Sequence, residues 1–145
     1  MEPSKVYFTD MRARPGTNLQ QKLEKLMRRA GFETIDFKDK YAAIKIHFGE
    51  PGNLSYLRPN FAKTVADMVK ALGGKPFLTD CNTLYVGGRK NALEHIESAY
   101  QNGFTPYTTG CHILIADGLK GNDEVAVPVQ GGDYIKEAKI GRALM

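Results

Sequence analysis

A chain of 145 residues with 42% apolar and 25% charged residues is long enough to bury one ordinary core, and its composition argues against disorder. No apolar run approaches the length of a bilayer crossing, and Met1-Glu2-Pro3-Ser4-Lys5 lacks the apolar centre of a secretion signal, so a membrane is not expected and the cytoplasm is the expected compartment. The net charge of +4 is spread over short basic pairs, Arg28-Arg29 and Arg89-Lys90, which favours small anions weakly and gives no nucleic-acid-binding signature.

Lys5-Val6-Tyr7-Phe8-Thr9 is rich in β-formers and predicts a first strand. After the turn at Arg14-Pro15-Gly16, Thr17 or Asn18 can cap a helix whose apolar positions are Leu19, Leu23, Leu26, Met27 and Ala30, with Gly31 ending it. Tyr41 to Phe48 predicts a second strand. Strict alternation there puts Lys45 and His47 on the face opposite to Ile44 and Ile46. Pro59 suits the first turn of a helix with the stripe Phe61, Val65, Met68, Val69 and Leu72, stopped by Gly73-Gly74.

Lys75 to Asp80 predicts a third strand. A polar loop runs on from Cys81, and then comes a helix carrying Ala92, Leu93, Ile96, Ala99 and Tyr100 as far as Gly103. His112 to Asp117 is nearly all apolar, as expected of a strand covered on both faces. Glu124 to Val129 and the stretch around Tyr134-Ile135 predict a hairpin across Gly131-Gly132, with Pro128 favouring an edge. Ile140 to Met145 resembles the opening of another amphipathic helix that breaks off on apolar residues. The reading is therefore a single, incomplete α/β domain over residues 1–145, with a mainly parallel sheet, helices on both faces and a C-terminal β-hairpin.

In such sheets ligands bind beyond the carboxyl ends of the strands. Those ends carry Lys45, His47, Glu50, Asn53 and Arg58 after the second strand, and Thr79, Asp80, Asn82 and Thr83 after the third, with Asp117 after the fourth. Arg58 before Pro59 suits a bidentate clamp on an anion at a helix amino end, where free N–H groups and the helix dipole assist it. His47 is the candidate acid–base group. Gly87-Gly88-Arg89-Lys90 permits close backbone approach to a ligand, with Arg89 as a ligand-binding candidate, although the spacing is neither that of a P-loop nor of a dinucleotide fingerprint.

Each residue also has a plain structural role open to it. Lys45 and His47 can mark a solvated strand face, Asp80 can cap a turn, and Arg58 can pair with a nearby carboxylate. His95 is expected at the surface or satisfied within the fold. No metal site is expected in this segment. Cys81 and Cys111 are far apart in sequence, and a cubane cluster takes cysteines in close-spaced groups; Cys81 is the outside candidate for a metal ligand, in a zinc site with Cys111 and a histidine.

Ala43-Ile44-Lys45-Ile46-His47-Phe48-Gly49-Glu50-Pro51-Gly52-Asn53 and Phe77-Leu78-Thr79-Asp80-Cys81-Asn82-Thr83-Leu84-Tyr85 closely resemble the uncharacterised iron–sulfur-centre proteins that contain domain of unknown function family 362. Arg89-Lys90-Asn91-Ala92, Asn102-Gly103-Phe104 and Ile115-Ala116-Asp117-Gly118-Leu119-Lys120-Gly121 extend the resemblance over nearly the whole chain. It implies a redox or electron-transfer protein whose 4Fe-4S clusters lie in a ferredoxin-like segment, of which this chain contains none, and it implies no substrate. A fainter analogy of strand–helix order, at Arg58-Pro59 only, is with lactate racemase-like proteins.

Three functions are compatible with these residues. The chain is a binding module for a small anion or a redox partner within an iron–sulfur protein, an enzyme on a small carboxylate or phosphate using His47 and Arg58, or a docking domain for the ferredoxin-like segment.

Overall fold

The computed structural model describes residues 3–145. Helix α1 spans Leu19–Arg29 and is capped by Asn18. The Asn18 carboxamide accepts the Gln21 N–H at 2.8 Å, and the Gln21 side chain accepts the Asn18 N–H at 2.9 Å. This reciprocal pair satisfies two otherwise orphaned donors. After Gly31, at φ +90°, a single 3-10 turn covers Phe32–Thr34.

The parallel sheet contains β1 (Tyr41–Lys45), β2 (Lys75–Asp80) and β3 (Ile113–Ile115) in that spatial order. Helix α2 (Pro59–Ala71) joins β1 to β2. Helix α3 (Ala92–Gln101) and the short α4 (Pro106–Thr109) join β2 to β3. Pro59 opens α2 as expected, because a first-turn residue needs no N–H partner.

Lys5–Thr9 is not a strand and joins no sheet. β-Propensity is realised only where another strand supplies backbone partners and side-chain neighbours, and none stands beside this segment among the described residues. β1 is consequently an edge strand.

Ile44, Leu78 and Ile113 are aligned across the sheet and point to one side. With Ile46 and Ile115 they pack against Ala62 and Ala66 of α2, Ala99 of α3, and Phe48, Phe104 and Cys111. On the other side Tyr41, Lys45 and Leu114 remain exposed. Helices α2 and α3 cover the face that carries Ile44, Leu78 and Ile113. Strands added in one direction by right-handed crossovers place successive helices on the same side; covering both sides requires the strand order to reverse. Small residues make much of the contact. Ala62 and Ala66 are buried while the expected Phe61 and Val65 are only half-buried, which lets α2 lie close to the sheet.

Strands β4 (Glu124–Pro128) and β5 (Glu137–Gly141) form the antiparallel hairpin, pairing Val125 with Ile140 and Val127 with Ala138. Its second strand begins beyond Tyr134-Ile135, which lie exposed in the connection. Ile140 is thus committed to the hairpin, and one 3-10 turn, Arg142–Leu144, stands in place of the expected helix. The hairpin docks on the end of β3: the Ala143 N–H donates to the Ala116 carbonyl at 3.2 Å, and a Cβ at Gly141 would lie 2.6 Å from that carbonyl group. No helix is long and apolar enough to cross a membrane among the described residues.

Candidate functional site

At the carboxyl end of β2 the chain buries three polar side chains together. Asp80 is 5% exposed, Arg89 3% and His95 0%. Burial of this kind is costly unless charges are paired. Glu50, from the loop after β1, supplies the partner: its Oε1 accepts from Arg89 Nε at 2.7 Å, from Arg89 Nη2 at 2.5 Å and from Tyr85 Oη at 2.5 Å. Tyr85 Oη in turn accepts from Arg89 Nη2 at 2.7 Å. Arg89 Nη1 lies 3.4 Å from Asp80 Oδ2, and Lys45 Nζ approaches Asp80 Oδ1 to 3.0 Å. The Thr83 N–H to Arg89 carbonyl bond, 2.9 Å, closes the loop that turns Arg89 inward.

His95 completes the cluster from α3. Its Nε2 stands 3.7 Å from Asp80 Oδ2, too far for a hydrogen bond, and neither ring nitrogen has a hydrogen-bond partner among the described residues. The ring packs edge-on against Phe48, with centroids 5.8 Å apart.

Of the sequence-predicted residues, Lys45, Glu50, Asp80 and Arg89 meet in this network. The others do not join it. Asn82 is bonded to Asp117. Its N–H and Nδ2 donate to the Asp117 carboxylate at 3.0–3.1 Å, and Nδ2 also donates to the Gly118 carbonyl at 2.8 Å. It thereby ties the end of β2 to the end of β3. Asn53 forms a local turn by accepting the Ser55 N–H at 2.8 Å. His47 is exposed, its Nδ1 accepting the Gly49 N–H at 2.9 Å, so Nε2 is the ring nitrogen left facing outward. Arg58 is exposed at the N-cap position of α2. It borders a separate hollow of about 230 Å³ with Leu54, Tyr56, Pro59, Asn60 and Asn102.

Tyr85 and His95 belong to the network although the sequence did not mark them as site residues. His95 had a readable signal, since it falls on the stripe Ala92, Ile96 and Ala99 that faces the sheet. Leu93 and Tyr100, expected on that stripe, are exposed. Tyr85 sits in an irregular loop and carried no periodic signal.

The cysteines do not fit an iron–sulfur cluster. Cys81 is exposed and Cys111 buried, and no group of three or more His, Cys, Asp or Glu side chains is placed to hold a metal among the described residues. Burial raises the Cys81 thiol, and the Asp80 and Asp117 charges raise it further; burial also raises Cys111.

The electrostatics of Asp80 set a pH dependence. Burial pushes its carboxyl up, but the nearby His95 ring, close without a hydrogen bond, together with the Lys45 ammonium and the Cys81 N–H outweighs burial and pulls it down to about 2. Glu50 is also lowered, first by Arg89 and then by Tyr85. Unfolded carboxyls titrate at about 4, so the unfolded chain takes up protons first as the pH falls. The stability that Asp80 contributes is complete above that value and is lost as the pH drops through about 2. Its size is at most about 2.5 kcal/mol, trimmed by solvent screening at the exposed Lys45 end. Urea unfolding between pH 6 and pH 2.5 is expected to show this decline, with a shallower slope in Asp80→Asn. Equal slopes in the two proteins would remove Asp80 as its source.

These features define an α/β domain with a buried carboxylate–guanidinium network at the carboxyl ends of its parallel strands. The chain belongs to the family described as Domain of unknown function (DUF362), which matches residues 42–145. That span holds everything after the first residue of β1, including every residue of the network. No curated protein and no solved structure matches the chain.

Proposed function

We propose that this chain is the ligand- or partner-binding α/β module of an iron–sulfur redox or electron-transfer protein, and that it takes a small carboxylate or phosphate at the amino end of α2. The observation that carries the ligand reading is Arg58. Lys45 and Arg89 are committed to Asp80 and Glu50, whereas the Arg58 guanidinium is exposed beside a hollow of about 230 Å³. Tyr56, Asn60 and Asn102 add polar groups to that hollow, and α2 directs its amino end there. The redox half of the reading rests on the resemblance of the strand and loop strings to iron–sulfur-centre proteins, with the clusters carried by another segment. His47, with Nε2 facing outward, is the group available for proton transfer should the bound anion react.

Calorimetric titration with inorganic phosphate and with malonate tests the ligand site. Arg58→Ala is expected to weaken binding by about tenfold or more, while the thermal midpoint stays unchanged because Arg58 supports no buried group. Unchanged affinity would remove Arg58 from the site. A large fall in thermal midpoint would make the arginine structural.

A further inference from the structure

Lys5–Thr9 has the composition of a strand and makes no backbone hydrogen bond among the described residues. Val6 is 90% exposed and Phe8 84%, while Tyr7 between them is 39% exposed. That alternation is the period of a strand whose Val6 and Phe8 share the outer face. Phe8 stands where three open hollows of about 520, 270 and 430 Å³ meet. Among the described residues their walls carry Lys5, Arg12, Arg14, Lys22, Lys25 and Arg29, against one acid, Asp10. Asp10 is engaged by Lys22 and approached by Arg12, so the other four cations stand without an ion-pair partner among the described residues. Helix α1, which forms one wall, has no buried residue despite its apolar stripe.

We propose that Lys5–Thr9 is a docking strand for an extended acidic segment of a protein partner. The segment would add by β-pairing, with apolar side chains on Val6 and Phe8 and carboxylates toward Lys5, Lys25 and Arg29. Two other occupants fit the observations less well. An anionic lipid surface would match the charge and the exposed Phe8, but it would desolvate the unpaired peptide groups of residues 5–9 without supplying partners. A second copy would supply partners, but it would bring like cations together.

The test uses a fluorescein-labelled octapeptide of alternating valine and glutamate with the full chain. Saturable binding is expected to weaken markedly between about 50 and 200 mM salt, and the amides of residues 5–9 to gain hydrogen-exchange protection. The double variant Lys25→Glu/Arg29→Glu, both exposed, is expected to raise the Kd by about tenfold or more with an unchanged thermal midpoint. Peptide binding without amide protection would overturn the strand-pairing proposal. So would binding to vesicles with about 30% phosphatidylserine but not to the peptide. Peptide-independent, concentration-dependent protection of the same amides would make the occupant a second copy, and would overturn it equally.

Discussion

Replacing Arg89 by alanine is expected to lower the unfolding free energy by about 3–5 kcal/mol, a large part of the total stability of a domain this size. The guanidinium is 3% exposed and holds Glu50, Tyr85 and Asp80 at once. Without it the Glu50 carboxylate keeps only the Tyr85 hydroxyl, and Asp80, 5% exposed, keeps Lys45. The cost arises mainly from the carboxylates left behind, not from the attraction that is lost. Arg89→Lys is not expected to rescue, because one ammonium cannot reproduce a planar fork that reaches three oxygens. Arg89→Met combined with Glu50→Gln removes both charges and is expected to recover part of the loss. Chemical denaturation of the single and double variants measures this coupling. Wild-type stability in Arg89→Ala with abolished phosphate binding would return Arg89 to the ligand-facing role that its sequence position suggests.

Phe48→Ala is expected to cost a similar amount, about 3–5 kcal/mol, and to do so through the core. Phe48 is fully buried and meets Phe104 edge-on with centroids 5.3 Å apart, as it does His95 at 5.8 Å. Its carbonyl accepts from Asn102 Nδ2 at 2.9 Å, and the next carbonyl, that of Gly49, accepts from Ser98 Oγ at 3.3 Å. Gly49 itself sits at φ +85°, where an added Cβ would lie 2.6 Å from both Asn102 Nδ2 and the Tyr56 ring. Phe48 therefore anchors to α3 the short loop that presents Glu50 to Arg89. Phe48→Leu keeps most of the volume and is expected to lose less than Phe48→Ala. Denaturation reports the stability. The lowered Glu50 carboxyl, followed by carbon-13 NMR, is expected to return toward its ordinary range in Phe48→Ala. An unshifted Glu50 titration would show that the loop holds its place without the ring.

The network and the core meet at His95, where sequence reasoning was weakest. A histidine in mid-helix reads as a surface residue, because imidazole carries two polar atoms that water satisfies easily. Here both are buried without partners among the described residues, the ring fills space beside Phe48, and Nε2 faces Asp80 across 3.7 Å. The same kind of limit applies to Arg89. A basic residue after two glycines looks mobile and exposed, and only the return of the loop against Pro51 and Glu50 makes it interior.

The sequence by itself determined the local elements. Asn18 and Pro59 start helices α1 and α2 because capping and fixed φ act within one turn. Lys75–Asp80 is a strand over the range its β-formers predict, with Asp80 as its last residue. Tertiary structure decided whatever depends on distant partners. Lys5–Thr9 has strand composition but no neighbouring strand among the described residues, so it stays outside the sheet. The advancing order β1-β2-β3 places α2 and α3 on one face. Pairing of Ile140 with Val125 takes residues 137–141 into the hairpin and forestalls a helix. Which cations are consumed and which left free was decided the same way: Arg89 lies 39 positions from Glu50 and pairs with it, while Arg58 is left exposed at the end of α2. Local signals act over a few residues of chain; burial and ion pairing are settled by contacts between segments that the sequence places far apart.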